Sequence, residues 1–191
     1  KNIEVISVYA FSTENWNRPK REVSFLFNTL EKRFNVELKR MMRLNARLRV
    51  MGDITKLPAS TQKVVVDGIM QTSGNSGIII NICLNYGGRD EIKRATSKLL
   101  EDFANNKFSK DDVSETLIAS YLDSSGLPEV DLLVRTSGEM RLSNFMLWQL
   151  SYAELLFSQT YWPAFDGKEL EKALVEFAKR TRRFGGLVDG K

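Results

Sequence analysis

The feature that most constrains this chain is the regular alternation of short, apolar, β-branched runs with longer segments that repeat at helical spacing. Between residues 20 and 44, Val23, Leu26, Phe27, Leu30, Phe34, Leu38 and Met41 recur at steps of three and four, which predicts one long amphipathic helix. Residues 3–9 alternate and predict a strand, followed by a polar loop over 11–19. Beyond the long helix the pattern predicts a strand at 47–51, a helix over 58–72, a turn at 74–77 and an apolar strand at 78–84. A loop at 85–88 then leads to a helix over 89–103, and Ser109 with Asp112 reads as the capping box of a further short helix. The remainder predicts a strand at 131–135, a helix over 143–151, an extended run at 154–157 and a helix over 167–180. This order is that of the α/β class, a central, mostly parallel sheet flanked by helices, in a single domain covering residues 1–191. Ligands of such sheets bind beyond the carboxyl ends of the strands, so the loops after Tyr9, Leu84 and Arg135 are the expected functional positions.

Composition narrows the chemistry further. The chain has no histidine, which excludes imidazole acid–base catalysis, Ser-His-Asp triads and histidine-ligated zinc. Carboxylates, arginines and amides must carry any reaction. The single cysteine, Cys83, sits in an apolar strand-like run with no partner in its own chain, and the sequence shows no leader pattern, so a reducing, cytoplasmic location is expected. Apolar runs such as Ile78-Ile79-Ile80 fall far short of the roughly 20 residues that span a bilayer. The net charge of +4 fits either an anionic partner or a solubility device.

Five segments carry chemistry. The loop after the first strand places Ser12, Thr13, Glu14, Asn15, Trp16 and Arg18 side by side, a variety that suits a binding loop, though a helix-capping loop with a half-buried tryptophan has the same composition. Asn85-Tyr86-Gly87-Gly88-Arg89 is a second such strand end. In the loop after the 131–135 strand, Arg135, Arg141, Leu142 and Ser143 flank a glycine turn just ahead of the expected helix. Guanidinium forks, a hydroxyl and a helix N-terminus are the ingredients of a diphosphate site, and equally of surface arginines on a turn. Glu154 is either a solvated end group or a ligand for a hard cation such as magnesium. The run from Arg180 to Arg183 with Gly185 and Gly186 reads as a solvated basic tail or as a phosphate-contacting segment.

Taken together and in this order, FSTENWNRP, NYGGR, RTSGEMRLSNF, WQLSYAEL and RRFGG resemble the undecaprenyl diphosphate synthase, or cis-prenyltransferase, family over essentially the whole chain. The resemblance implies the cis-prenyltransferase α/β fold, a homodimer, and a hydrophobic tunnel for the allylic primer, with Leu26, Leu30 and Ile78 as candidate wall residues. It implies that Ser12, Thr13, Glu14, Trp16, Arg18 and Glu22 belong to the site where isopentenyl diphosphate meets an allylic diphosphate such as farnesyl diphosphate, and that Asn15 assists loss of the C2 proton. Arg135, Arg141, Leu142 and Ser143 would then hold the diphosphate of isopentenyl diphosphate, Glu154 a Mg2+ ion, and Arg183 and Gly185 would close over the site from the partner copy. Peripheral membrane contact through a lipid product is implied, and nucleic-acid binding is not.

Two departures from the family pattern stand out. Family members carry, ahead of the position of Lys1, a strand and a magnesium-binding aspartate, so residues 1–191 read as an N-terminally incomplete domain, expected to be inactive by itself although its parent is an enzyme. Met140 occupies a position where some members have a histidine, and a thioether is a poor magnesium ligand. The rival expectations are a non-catalytic partner subunit of a cis-prenyltransferase and, more remotely, a nucleic-acid-binding domain built around the basic run.

Overall fold

The structure, a computed structural model, describes residues 3–180. The chain divides into two compact units, Lys1–Leu127 and Pro128–Lys191. In the first unit, β1 (Val5–Ser12), β2 (Arg47–Met51) and β3 (Ile79–Tyr86) form a parallel sheet in the order β1-β3-β2. Val5 and Arg47 both pair with Ile79, and the register runs on to Tyr9 and Met51 opposite Cys83. It then shifts at Phe11, where β1 bends just before its end. The buried centre is β3, whose Cys83, Leu84, Asn85 and Tyr86 are almost fully enclosed.

Two helices, α1 (Lys20–Arg43) and α2 (Ala59–Thr72), supply the apolar layer on one side of the sheet. Pro19 opens α1 with its fixed φ, and Arg40 and Arg43 in its last turn complement the negative end of the helix dipole. Phe11 of β1, Val23 and Phe27 of α1, Val65 of α2 and Leu84 of β3 form one buried cluster with Leu57. Leu30, Phe34, Val50 and Ile82 pack against it. Because Ile82 and Leu84 are two apart on β3, both point to this face. The alternate residue Asn81 points to the other, where its amide donates to Ser7 Oγ at 2.9 Å. After β3 come α3 (Gly88–Ala104) and α4 (Glu115–Tyr121), which follows a 3-10 turn at Lys110–Asp112. The expected Ser109–Asp112 capping box closes that turn.

The second unit holds β4 (Leu132–Arg135) and β5 (Glu154–Phe157), paired in parallel from Leu132–Glu154 to Arg135–Phe157, and α5 (Gly167–Lys179). Asp166 starts α5 by accepting from the N–H groups of Lys168 and Glu169 at 2.9 and 3.1 Å. No helix among the described residues is long and apolar enough to cross a membrane.

As expected, every strand pair is parallel; among the described residues the strands pair in the orders β1-β3-β2 and β4-β5. Two expectations need correction. Asn85 and Tyr86, expected in a loop, complete β3, and Gly88 already begins α3. The expected helix over 143–151 is a series of turns: Ser143, Asn144 and Met146 have φ of 49°, 64° and 44°, a left-handed backbone that an α-helix cannot contain.

Candidate functional site

Parallel strands bring their carboxyl ends to one edge, so the segments after β1, β2 and β3 gather at one rim of the first unit. The segment after β1 is a 3-10 turn, Thr13–Asn17. Asn15 turns its Oδ1 back to accept the N–H of Ser12 at 2.9 Å, which leaves its Nδ2 to a ligand. Trp16 is 39% exposed, yet its indole is fixed. It meets the buried Phe11 edge-on at a centroid distance of 5.2 Å and Phe27 of α1 at 5.5 Å, and its Nε1 donates to Asn85 Oδ1 at 2.7 Å. Asn85 Nδ2 donates in turn to the carbonyl of Asp53, after β2, at 2.7 Å. One side chain from the buried strand thus ties the loops after the two edge strands together.

Deeper in the same rim lies a charged network that no local motif announces. The Glu91 carboxylate, buried on α3, accepts from Tyr86 Oη at 2.6 Å and from the N–H of Asp123 at 2.9 Å. Arg94 grips Asp123 with both guanidinium nitrogens, at 2.8 and 2.5 Å, and Asp90 with Nε at 2.8 Å. Asp123 also accepts the N–H of Gly52 at 2.9 Å. Burial, reinforced by Glu91, pushes the Tyr86 hydroxyl well above its ordinary value, so it stays a hydrogen-bond donor. The Thr55 hydroxyl, against the opposing effect of burial, holds the Asp53 carboxyl below the usual range. Asp53 is therefore ionised at the mouth of the rim.

Of the other residues expected here, Ser12 and Thr13 are half-buried and Glu14 is exposed. Arg18 and Glu22 are exposed and paired with each other at 2.8 Å, a contact worth about 0–1 kcal/mol that a ligand can readily exchange. Leu30 packs against the core cluster, Leu26 is exposed on α1, and Ile78 is partly buried just ahead of β3.

In the second unit, Arg135 ends β4 half-buried, and its guanidinium makes no hydrogen bond or ion pair among the described residues. The loop that follows is zipped to the segment after β5 by the N–H groups of Ser137 and Gly138, which donate to the carbonyls of Thr160 and Ser158 at 2.9 Å each. Arg141 is exposed and paired with Glu139, Leu142 is half-buried, and Ser143 lies on a left-handed turn. The helix N-terminus expected to assist them is absent, so the anion-binding groups this loop offers are guanidinium, hydroxyl and loop N–H. Met140 is 75% exposed.

Glu154 opens β5, opposite Leu132, whereas Arg135 closes β4 opposite Phe157. Three residues of strand separate the two positions by about 10 Å along the ladder. The Glu154 carboxylate accepts from Arg180 at 3.0 Å. The described residues contain no group of three metal-ligating side chains. Magnesium takes one or two protein carboxylates and completes its shell with substrate phosphates and water, so Glu154 could serve it only by exchanging Arg180 for the ion. Arg183 and Gly185 lie outside the described residues.

The undecaprenyl diphosphate synthase family model matches residues 1–185. The chain belongs to this family. The isoprenyl transferase of Geobacter sulfurreducens (strain ATCC 51573 / DSM 12127 / PCA) is 48% identical over 183 residues, 96% of this chain and 74% of that protein. That of Bacillus subtilis (strain 168) is 44% identical over 185 residues, 97% of this chain and 71% of that protein. Among solved structures, lavandulyl diphosphate synthase from Lavandula x intermedia, in complex with dimethylallyl diphosphate, matches with a TM-score of 0.93 at 31% identity, covering 96% of this chain and 79% of that one. A probable undecaprenyl diphosphate synthase from Campylobacter jejuni matches with a TM-score of 0.85 at 36% identity, over 95% and 83%. Membership in the undecaprenyl diphosphate synthase family makes the protein a prenyl-transferring enzyme with the mostly parallel, helix-flanked fold of the cis-prenyltransferases.

Sequence reasoning missed Asn85 as a clamp, and with it Phe27, Asp53, Glu91, Arg94 and Asp123. The signal for Asn85 was a carboxamide near the end of a mostly apolar strand, a costly choice unless both its groups are bonded.

Proposed function

We propose that the protein adds isopentenyl units in cis to an allylic diphosphate primer, farnesyl diphosphate, giving a long-chain polyprenyl diphosphate such as undecaprenyl diphosphate, the precursor of a cell-wall lipid carrier. The observation that carries this reading is Arg135, a half-buried guanidinium at a strand end with no partner of its own among the described residues. A diphosphate oxygen pair is the complement such a fork lacks. Arg141, Leu142 and Ser143 would complete the isopentenyl diphosphate site. Ser12, Thr13, Glu14, Trp16, Arg18 and Glu22 would face the region where the substrates meet, and Leu26, Leu30 and Ile78 the growing chain.

Asn15 would assist loss of the C2 proton as a hydrogen-bond donor to the accepting oxygen, because its own oxygen is committed to Ser12. A carboxamide is in any case too weak a base to take that proton itself. Magnesium, when bound, would neutralise the charge gathering on diphosphate as the allylic C–O bond breaks, and Glu154 would hold it. A homodimer, with Arg183 and Gly185 closing over the partner's site, is the assembly that membership in the family favours. The family model runs through both units, which supports one catalytic domain, and the setting we propose is cytoplasmic with peripheral membrane contact.

The test is product analysis with magnesium, farnesyl diphosphate and labelled isopentenyl diphosphate. The full-length parent should give long polyprenyl diphosphate that disappears with a chelator, and residues 1–191 alone should give none; the variants below are made in the parent. Arg135→Ala should lower kcat/KM for isopentenyl diphosphate about a hundredfold, and Arg135→Lys should recover only part of it. Full activity in Arg135→Ala would overturn the site. If the parent makes no product alone but raises the output of a second prenyltransferase subunit, its role is that of a partner subunit.

A further inference from the structure

The buried stripe of α1, Val23, Phe27, Leu30, Phe34 and Leu38, leaves an opposite face that is unusual in its charge. Arg21, Phe25, Lys32, Val36, Lys39 and Arg43 follow one another at steps of four, seven, four, three and four, and so share that outer face. All six are exposed, Phe25 to 67% and Val36 to 66%. From Arg21 to Arg43 the stripe is about 33 Å long at 1.5 Å per residue.

The acidic residues of α1 are all drawn off elsewhere. Glu31 accepts from Ser60 and Thr61 of α2, Glu22 pairs with Arg18, and Glu37 with Arg40. Arg21, Lys32, Lys39 and Arg43 make no ion pair among the described residues. A face of four unneutralised cations interleaved with two exposed apolar side chains suits a surface that is both anionic and penetrable by hydrocarbon. A solvated helix face gains nothing from Phe25 and Val36, and a polyanion such as nucleic acid offers no apolar layer to receive them.

We propose that this outer face of α1 docks on an anionic lipid bilayer, the basic side chains at the headgroups and Phe25 and Val36 at the acyl boundary. Its purpose, delivery of a water-insoluble product, rests on the functional reading above, while the surface itself does not. The experiment is flotation of the protein with vesicles of phosphatidylcholine alone and of equal parts phosphatidylcholine and phosphatidylglycerol, at low and high salt. Wild-type protein should float with the mixed vesicles only, and salt should release it.

Removing each basic residue should weaken binding about fivefold, so K32Q/K39Q/R43Q together should weaken it about a hundredfold. F25S/V36S should weaken it without changing its salt dependence. Made in the full-length parent, both variants should keep wild-type prenyl transfer to farnesyl diphosphate in free solution, which also shows that they are folded. Equal flotation of the triple variant, or equal binding to neutral vesicles, overturns the proposal. Tighter binding to a DNA duplex than to mixed vesicles, lost in the triple variant, overturns it in favour of nucleic acid. Flotation without any prenyl transfer by the full-length parent leaves the docking surface standing and overturns the functional reading instead.

Discussion

At the scale of single residues, the rim of the first unit depends on side chains with two partners each. Asn85 is the sharpest case, buried, left-handed at φ 48°, and bonded at both ends of its carboxamide. Asn85→Ala should destabilise the protein by about 1–3 kcal/mol, the usual result of leaving buried donors and acceptors unpaired. Urea denaturation checks the loss. Asn85→Asp keeps an acceptor for Trp16 and should hold its indole emission nearer to wild type than Asn85→Ala does. Cys83 gives a pH-dependent case. Burial, helped by Glu91 and Asp123, pushes its thiol from the ordinary 9.0 up to about 12. The unfolded chain releases that proton first, so this contribution to stability is complete below pH 9.0 and falls away as pH rises toward 12. Native protein should resist a thiol reagent at pH 8 and react once unfolded; rapid native labelling would contradict the burial. None of this pairing was legible in sequence, because Trp16, Asp53 and Asn85 lie 32 to 69 residues apart and only the fold introduces them. The types of residue were legible, since Asn15, Trp16 and Arg135 announced themselves at strand ends.

Among the elements, β2 ends on the tightest geometry. Gly52 has φ 115°, and a Cβ there would lie 2.2 Å from the carbonyl oxygen of Leu84. Gly52→Ala should cost about 3 kcal/mol, combining backbone strain with a clash against backbone that cannot swing aside. A thermal melt of the variant measures it. Strands and helices with a clear period were readable: α1 begins at the predicted residue, and the helical repeat from Val23 to Met41 admits no other element. The segment 143–151 misled for a physical reason. Its residues have adequate helix propensity, but Phe145, Met146 and Leu150 are buried by a path that needs left-handed turns at Ser143, Asn144 and Met146, and burial outweighs a few tenths of a kcal/mol of propensity. The Ser143-Asn144 pair was the available hint, since asparagine tolerates that conformation better than most residues.

At the scale of the whole molecule, stability is concentrated along β3, which is paired on both sides and carries the most enclosed side chains of the first unit. Native-state hydrogen exchange should therefore be slowest at the amides of Ile82, Cys83 and Leu84 and much faster in the loop 136–144; equal protection would contradict a core centred on that strand. The same arrangement separates the useful end of the sheet from an idle one. Gly74 sits in the turn before β3, at the rim opposite the strand ends that gather Asn15, Trp16 and Asp53, and an added side chain there meets no atom within 4 Å. With the native thiol sealed inside β3, a Gly74→Cys chain would offer a single reactive sulfur. A fluorophore or spin label could be anchored there, giving an optical or magnetic reporter of the enzyme at work that touches none of its machinery.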